Sequence, residues 1–161
     1  MADLTVESRR RPAELLLIED NHGDALLTRE AFRNAKVANR LSVASDGEEA
    51  MSMLGRQGHH ADQPRPDLIL LDLSLPRMDG REVLEAIKGD PGLRSIPVIM
   101  LTGSQADIDI CKSYELRANG YIVKPVNFDR LQKVVNSIES FWLNLVVLPA
   151  TPAFERSELS I

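Results

Sequence analysis

Five residues carry the chemistry this sequence offers: Glu19, Asp20, Asp72, Thr102 and Lys124. Each stands at the end of a short apolar run. Glu19 and Asp20 follow Leu15-Leu16-Leu17-Ile18, Asp72 follows Leu68-Ile69-Leu70-Leu71, Thr102 follows Val98-Ile99-Met100-Leu101, and Lys124 follows Tyr121-Ile122-Val123. Three carboxylates gathered in one place repel by roughly 1 to 4 kcal/mol per pair at contact. A small divalent cation offsets that repulsion. Mg2+ suits the set, because it is held by one or two carboxylates, keeps several waters and leaves room for a phosphate oxygen. Lys124 would supply a point charge for a phosphoryl group, and Thr102 a hydroxyl donor to the same oxygens. Phosphoryl transfer depends on positioning and on stabilising charge over the phosphoryl oxygens. Asp72 would then be the nucleophile, giving an aspartyl phosphate. Singly, an acid after a strand is an ordinary helix cap or turn former. The expectation rests on all five falling at strand ends.

The elements that must position these residues alternate along the chain. Leu15 to Ile18 reads as a strand buried on both faces. From Asp24 to Ala35, Ala25, Leu26, Leu27, Ala31 and Phe32 fall near a 3.6-residue period, so a helix follows, capped by Asn21 or Asp24. Leu41 and Val43 alternate as a short strand, and Glu48 to Arg56 sets Ala50, Met51 and Leu54 on one helical face. Gly58 to Pro66 reads as a loop, and Leu68 to Leu71 as a third strand. After a turn at Gly80, a helix carries Val83, Leu84 and Ile87. Pro97 to Leu101 is a fourth strand, Ala106 to Arg117 a helix, and Tyr121 to Val123 a short fifth strand. The last helix, about Phe128 to Leu145, bears the stripe Leu131, Val134, Val135, Ile138, Phe141 or Trp142, and Leu145. Such alternation predicts an α/β fold, a doubly wound five-stranded parallel sheet with helices on both faces. Ligands in such sheets bind beyond the carboxyl ends of the strands.

Composition bounds the function. At 161 residues with 43% hydrophobic and 27% charged side chains, the chain predicts one soluble globular core. A net charge of −5 argues against a nucleic-acid footprint, and Arg9-Arg10-Arg11 reads as a solvated leader. The one cysteine, Cys111, cannot close an internal disulfide, which fits a reducing cytoplasm. No apolar run approaches membrane-spanning length, so neither export nor insertion is expected. His22, His59 and His60 lack metal-ligand spacing and read as solvated loop residues.

Taken together, Ile18-Glu19-Asp20-Asn21, Leu71 through Gly80, Leu101-Thr102-Gly103-Ser104 and Gly120 through Pro125 resemble the receiver domain of response regulators in two-component systems. The resemblance spans about Glu14 to Leu148. It implies a leader at 1–12, a domain at 13–148 and a tail at 149–161. The implied fold is flavodoxin-like, (βα)5, with strand order 2-1-3-4-5. It also implies that Glu19, Asp20 and Asp72 bind Mg2+ with the backbone carbonyl of Ser74. Asp72 would accept a phosphoryl group from a histidine kinase, Lys124 and Thr102 would hold it, and Tyr121 would follow the Thr102 hydroxyl inward. Pro125 matches the proline after that lysine, often preceded by a cis bond. The first acid of the pair is a glutamate where many receivers have an aspartate. Ser74 and Ser104 occupy positions that tune hydrolysis and offer no carboxamide or carboxylate to steer water, so slow dephosphorylation is expected.

Beyond Lys124 the chain provides one helix and a tail, so output is expected through a partner or self-association. Phe141-Trp142-Leu143-Asn144-Leu145-Val146-Val147-Leu148 is apolar on more faces than one sheet could cover, so Phe141, Trp142, Leu145, Val147 and Leu148 are candidate dimer contacts. The alternative is that this segment folds back over its own domain. Asp72 through Leu84, Ser137 through Leu143 and Val147-Leu148-Pro149 also resemble the phytochrome-associated single-domain regulators. That likeness implies a bacterial phytochrome kinase as phosphodonor and a homodimer. The chain is expected not to be an enzyme. An aspartyl-phosphate phosphatase would place a second acid where Ser74 stands, a flavin carrier would not put two acids in the turn after the first strand, and a phosphorylation-independent scaffold would not need the full acceptor set.

Overall fold

This computed structural model describes residues 12–36, 38–113, 117–124, 128–138 and 140. Its elements are β1 (Ala13–Ile18), α1 (His22–Arg33), β2 (Asn39–Ala44), α2 (Gly47–Leu54), β3 (Leu68–Asp72), α3 (Gly80–Gly89), β4 (Val98–Thr102), α4 (Gln105–Ser113), β5 (Gly120–Val123) and α5 (Phe128–Ile138). Within the loop before β3, Gly58–His60 forms one 3-10 turn. The five strands are all parallel in the order β2-β1-β3-β4-β5, the doubly wound fold expected of the alternation.

Side-chain alternation builds two cores from one sheet, because successive residues of a strand face opposite sides. Leu16, Ile18, Ile69, Leu71, Val98 and Met100 point to one face, where Ala50, Met53 and Leu54 of α2 and Val83, Leu84 and Ile87 of α3 cover them. Leu15, Leu17, Leu68, Leu70, Ile99 and Leu101 point to the other, under Ala25, Ala31 and Phe32 of α1 and Val135 and Ile138 of α5. Burial on both faces is why β1, β3 and β4 read as unbroken apolar runs. Burying each such leucine or isoleucine contributes about 1.5–3 kcal/mol.

The helices begin where the sequence supplies caps. Asn21 accepts the backbone N–H of Asp24 at the start of α1, and Asp46 that of Glu49 in α2. Asp79 and Glu82 form a reciprocal capping box on α3. At the far end of α3 the buried Lys88 donates from Nζ to Arg94 O (3.1 Å), Ile96 O (3.1 Å) and Asn119 Oδ1 (3.0 Å). Since Asn119 Oδ1 also accepts the Val98 N–H, this one ammonium ties α3 to the start of β4 and to the approach to β5.

Phe141, Trp142, Leu145, Val147 and Leu148 lie outside the described residues, as do Pro125, the leader at 1–11 and the tail at 149–161. No helix among the described residues is long and apolar enough to cross a membrane.

Candidate functional site

Strand order reverses between β1 and β3, since the chain leaves β1 toward β2 and returns on the other side. A crevice opens beyond the strand ends at that point. Glu19, one residue past β1, and Asp72, the last residue of β3, reach into it from buried positions, and the exposed Asp20 joins them from the rim. One carboxylate oxygen from each lies within 4.8 Å of the others, a spacing that fits a single oxygen-coordinated divalent cation.

Lys124 enters the same space from the end of β5. Its Nζ lies 2.7 Å from Glu19 Oε1, 2.8 Å from Asp24 Oδ2 and 3.1 Å from Asp72 Oδ2. The backbone holds it there, because Lys124 N–H donates to Thr102 O and extends the β4–β5 ladder beyond Val123. Asp72 is fixed from the other side, its Oδ1 accepting the Ser74 N–H at 3.1 Å. Glu19 Oε2 accepts the Asn21 N–H at 3.1 Å.

The electrostatics follow from crowding acids around one ammonium. Burial, and then the adjacent Asp72, push Glu19 up to about 7, against the opposing pull of Lys124 and the Asn21 N–H. Burial also disfavours the charge on Lys124, but hydrogen bonds to Asp24, Glu19 and Asp72 outweigh it and hold the amine above the ordinary lysine value.

The other residues expected in the site sit at its edge. Thr102 is buried at the end of β4, where its hydroxyl donates to Ser104 O (3.0 Å) and accepts the Ser104 N–H (3.1 Å). The hydroxyl is thus engaged with its own loop. Tyr121 is half-buried against the α2–α3 core, beside Met100 in the β4–β5 register. Ser74 is exposed in the loop after β3. In that loop Met78 N–H donates to Pro76 O at 2.7 Å, closing a tight turn over Arg77 at a φ of 67°. A γ-turn with positive φ is a strained conformation. Gly80 is packed so closely under β3 that a Cβ there would lie 2.3 Å from Asp72 O, and a Cβ at Gly47 would lie 2.1 Å from Met78 O. The glycines are what permit this loop to press against both the acceptor strand and α2.

Asp24 was not legible as a member of the site. In the sequence it is an acid in the first turn of a helix, where the helix dipole alone favours one. Its distance of 100 residues from Lys124 leaves no local signal of the pair. The one hint is its position one turn beyond Asn21, which puts it on the crevice side of α1.

Residues 15–136 match the response regulator receiver domain family. Response regulator Rcp1 of Synechocystis sp. is 47% identical over 139 residues, covering 86% of this chain and 95% of that protein. The crystal structure of the Mn(2+)-bound form of Rcp1 superposes with a TM-score of 0.78, covering 86% of this chain and 100% of that one. That of the phosphorylated cyanobacterial phytochrome response regulator RcpA does so at 0.80, with 46% identity over 86% of this chain and 99% of that one. Acid cluster, lysine, sheet order and these likenesses agree, and the chain belongs to the response regulator receiver domain family, on the branch that includes the phytochrome response regulators.

Proposed function

We propose that this protein accepts a phosphoryl group on Asp72 from a histidine kinase, with Mg2+ held by Glu19, Asp20, Asp72 and the backbone carbonyl of Ser74. The observation that carries the reading is Lys124 Nζ at 3.1 Å from Asp72 Oδ2, beside three carboxylates whose oxygens meet within 4.8 Å. Mg2+ would supply neutralising charge to the phosphoryl oxygens. The chain's own residues do the rest. Asp72 Oδ2 attacks phosphorus as the phosphorus–nitrogen bond to the donor imidazole breaks, and the imidazole leaves with its electron pair and takes up a proton. Lys124 draws the transferred oxygens inward with a charge-assisted hydrogen bond. The Ser74 N–H keeps the carboxylate oriented through Oδ1.

Signal output follows from the Thr102 hydroxyl leaving Ser104 O for the phosphoryl group, with Tyr121 turning inward after it. A shift of about 5.5 kcal/mol would carry such an equilibrium from one extreme to the other. The readout is a changed surface at β5 and the last helix, with a homodimer through Phe141, Trp142, Leu145, Val147 and Leu148. Likeness to Rcp1 and RcpA supports a bacterial phytochrome as the kinase. Ser74, standing where a phosphatase would place its second acid, disfavours that enzyme, and the two acids of the Glu19-Asp20-Asn21 turn disfavour a flavin carrier.

The test is incubation with Mg2+ and acetyl phosphate, followed by intact mass and sedimentation. Wild type gains one phosphoryl group and Asp72→Asn gains none. Equal labelling of both proteins overturns the assignment of the acceptor.

A further inference from the structure

The carboxylates that hold Lys124 are not equivalent. Glu19 and Asp72 belong to the cluster that meets within 4.8 Å, whereas Asp24 stands apart from it, on α1. Glu19 and Asp72 side chains are 1% and 8% exposed and Asp24 is 43% exposed, yet its contact with Nζ, at 2.8 Å, is shorter than that of Asp72. A divalent cation takes up the charge of Glu19 and Asp72 and repels an ammonium a few ångströms away. Lysine is a compact charge on a flexible stem with three donors, so repulsion alone would turn it out to solvent. Among the described residues, Asp24 is the carboxylate partner of Lys124 that the cation does not claim.

We infer that Asp24 is a positioning residue: it receives Lys124 when a divalent cation takes Glu19 and Asp72, and so lets cation and ammonium occupy the site together. The inference rests on the reading of Glu19, Asp20 and Asp72 as the cation's ligands. Two things follow. Without Asp24 the cation must displace the lysine into water, so metal binds more weakly. And without Asp24 the amine of the metal-loaded protein no longer waits within reach of Asp72.

Mn2+ titration followed by electron paramagnetic resonance of the free ion tests this in the full chain, with circular dichroism to confirm folding. Asp24→Asn is expected to weaken Mn2+ binding about fivefold, the scale of a partly exposed ion pair, and Asp24→Glu, which keeps the charge, by less. In a Lys124→Met background the same Asp24→Asn change is expected to shift affinity by less than about twofold, since the lysine it served is gone. Equal weakening in both backgrounds overturns the proposal, because Asp24 would then act on the metal merely as a distant charge. No weakening in either background overturns it as well. Should Lys124→Met fail to fold, the Lys124 ε-methylene resonance decides: in Mg2+-saturated protein it stays apart from the position of a free lysine in wild type and moves to that position in Asp24→Asn, and identical behaviour of the two refutes the idea. Because the readout is metal and lysine, a wild type that never takes a phosphoryl group would refute the phosphoacceptor function and leave this result standing.

Discussion

The crowding of acids around Lys124 predicts that the metal-free protein becomes less stable as pH rises through neutrality, and that replacing the acceptor aspartate stabilises it. Glu19 has a folded pKa of about 7 against an ordinary value of 4.5. A carboxyl with a raised folded pKa is protonated in the native state before it is in the unfolded one. Its contribution is therefore complete below about 4.5 and lost as pH climbs through 7. The loss is on the order of 3 kcal/mol, since each pKa unit corresponds to about 1.4 kcal/mol and the Glu19 side chain is only 1% exposed. Asp72→Asn keeps the shape that accepts the Ser74 N–H while removing the charge that faces Glu19. At an effective dielectric near 20, a carboxylate pair within 4.8 Å repels by about 3–4 kcal/mol, and the Lys124–Asp72 pair at 3.1 Å attracts by about 5 kcal/mol. The exposed Asp20 adds a weaker, water-screened repulsion, and burial of the Asp72 charge adds a desolvation cost on the order of 3 kcal/mol. Lys124 still keeps Glu19 and Asp24 in the variant. The balance favours Asp72→Asn by about 1–2 kcal/mol at pH 7.5. Urea unfolding by circular dichroism with a chelator, at pH 5 to 8, measures both effects, and Glu19→Gln isolates the titrating group. Mg2+ should remove most of the pH slope. A wild-type stability that is flat or rising from pH 5 to 7.5 without metal, or an Asp72→Asn protein less stable than wild type, refutes the electrostatic reasoning.

Gly80→Ala places a Cβ 2.3 Å from Asp72 O and 2.7 Å from Leu73 Cα, against backbone that cannot yield; thermal unfolding should show a loss of about 2–4 kcal/mol, and a loss under about 0.5 would contradict the contact. Lys88→Met takes the ammonium donor from Arg94 O and Ile96 O and leaves Asn119 Oδ1 with the Val98 N–H, with an expected cost of about 2–3 kcal/mol in chemical denaturation. Arg77→Gly relieves a residue at a φ of 67° whose ion pairs to Asp46 and Glu48 are largely exposed, so stability should hold or rise by about 0.5–1 kcal/mol in the same assay. Ser74→Asn adds a carboxamide beside the acceptor and should shorten the aspartyl-phosphate lifetime severalfold, read as release of labelled phosphate; an unchanged lifetime would show that Ser74 is not what slows hydrolysis.

What the sequence disclosed and what it withheld divide along physical lines. β1, β3 and β4 are covered on both faces, so hydrophobicity alone marked them, and the polar residues that end those runs, Glu19, Asp72 and Thr102, were conspicuous for the same reason. The ends of elements were less legible: α1 begins at His22 because Asn21 is its cap, a choice between Asn21 and Asp24 that periodicity could not make. Two further features are decided only by tertiary contact. Lys88 is buried on three acceptors supplied by later segments, which no local pattern announces. Asp24, a candidate cap in the sequence, lies in the first turn and is a partner of Lys124. Neither has a signature within a window of neighbouring residues. The Thr102 hydroxyl illustrates a third limit, since sequence identifies the group but not that it faces Ser104 O in this state.

The close fit of Gly80 beneath Asp72 O and of Gly47 against Met78 O gives the pocket one stiff wall. Backbone wedged against backbone has little slack, whereas across the crevice the Thr102 hydroxyl is secured, among the described residues, by two hydrogen bonds to its own loop, at 3.0 and 3.1 Å. Under the proposed phosphorylation, the displacement would then fall on the Thr102 side, toward β5.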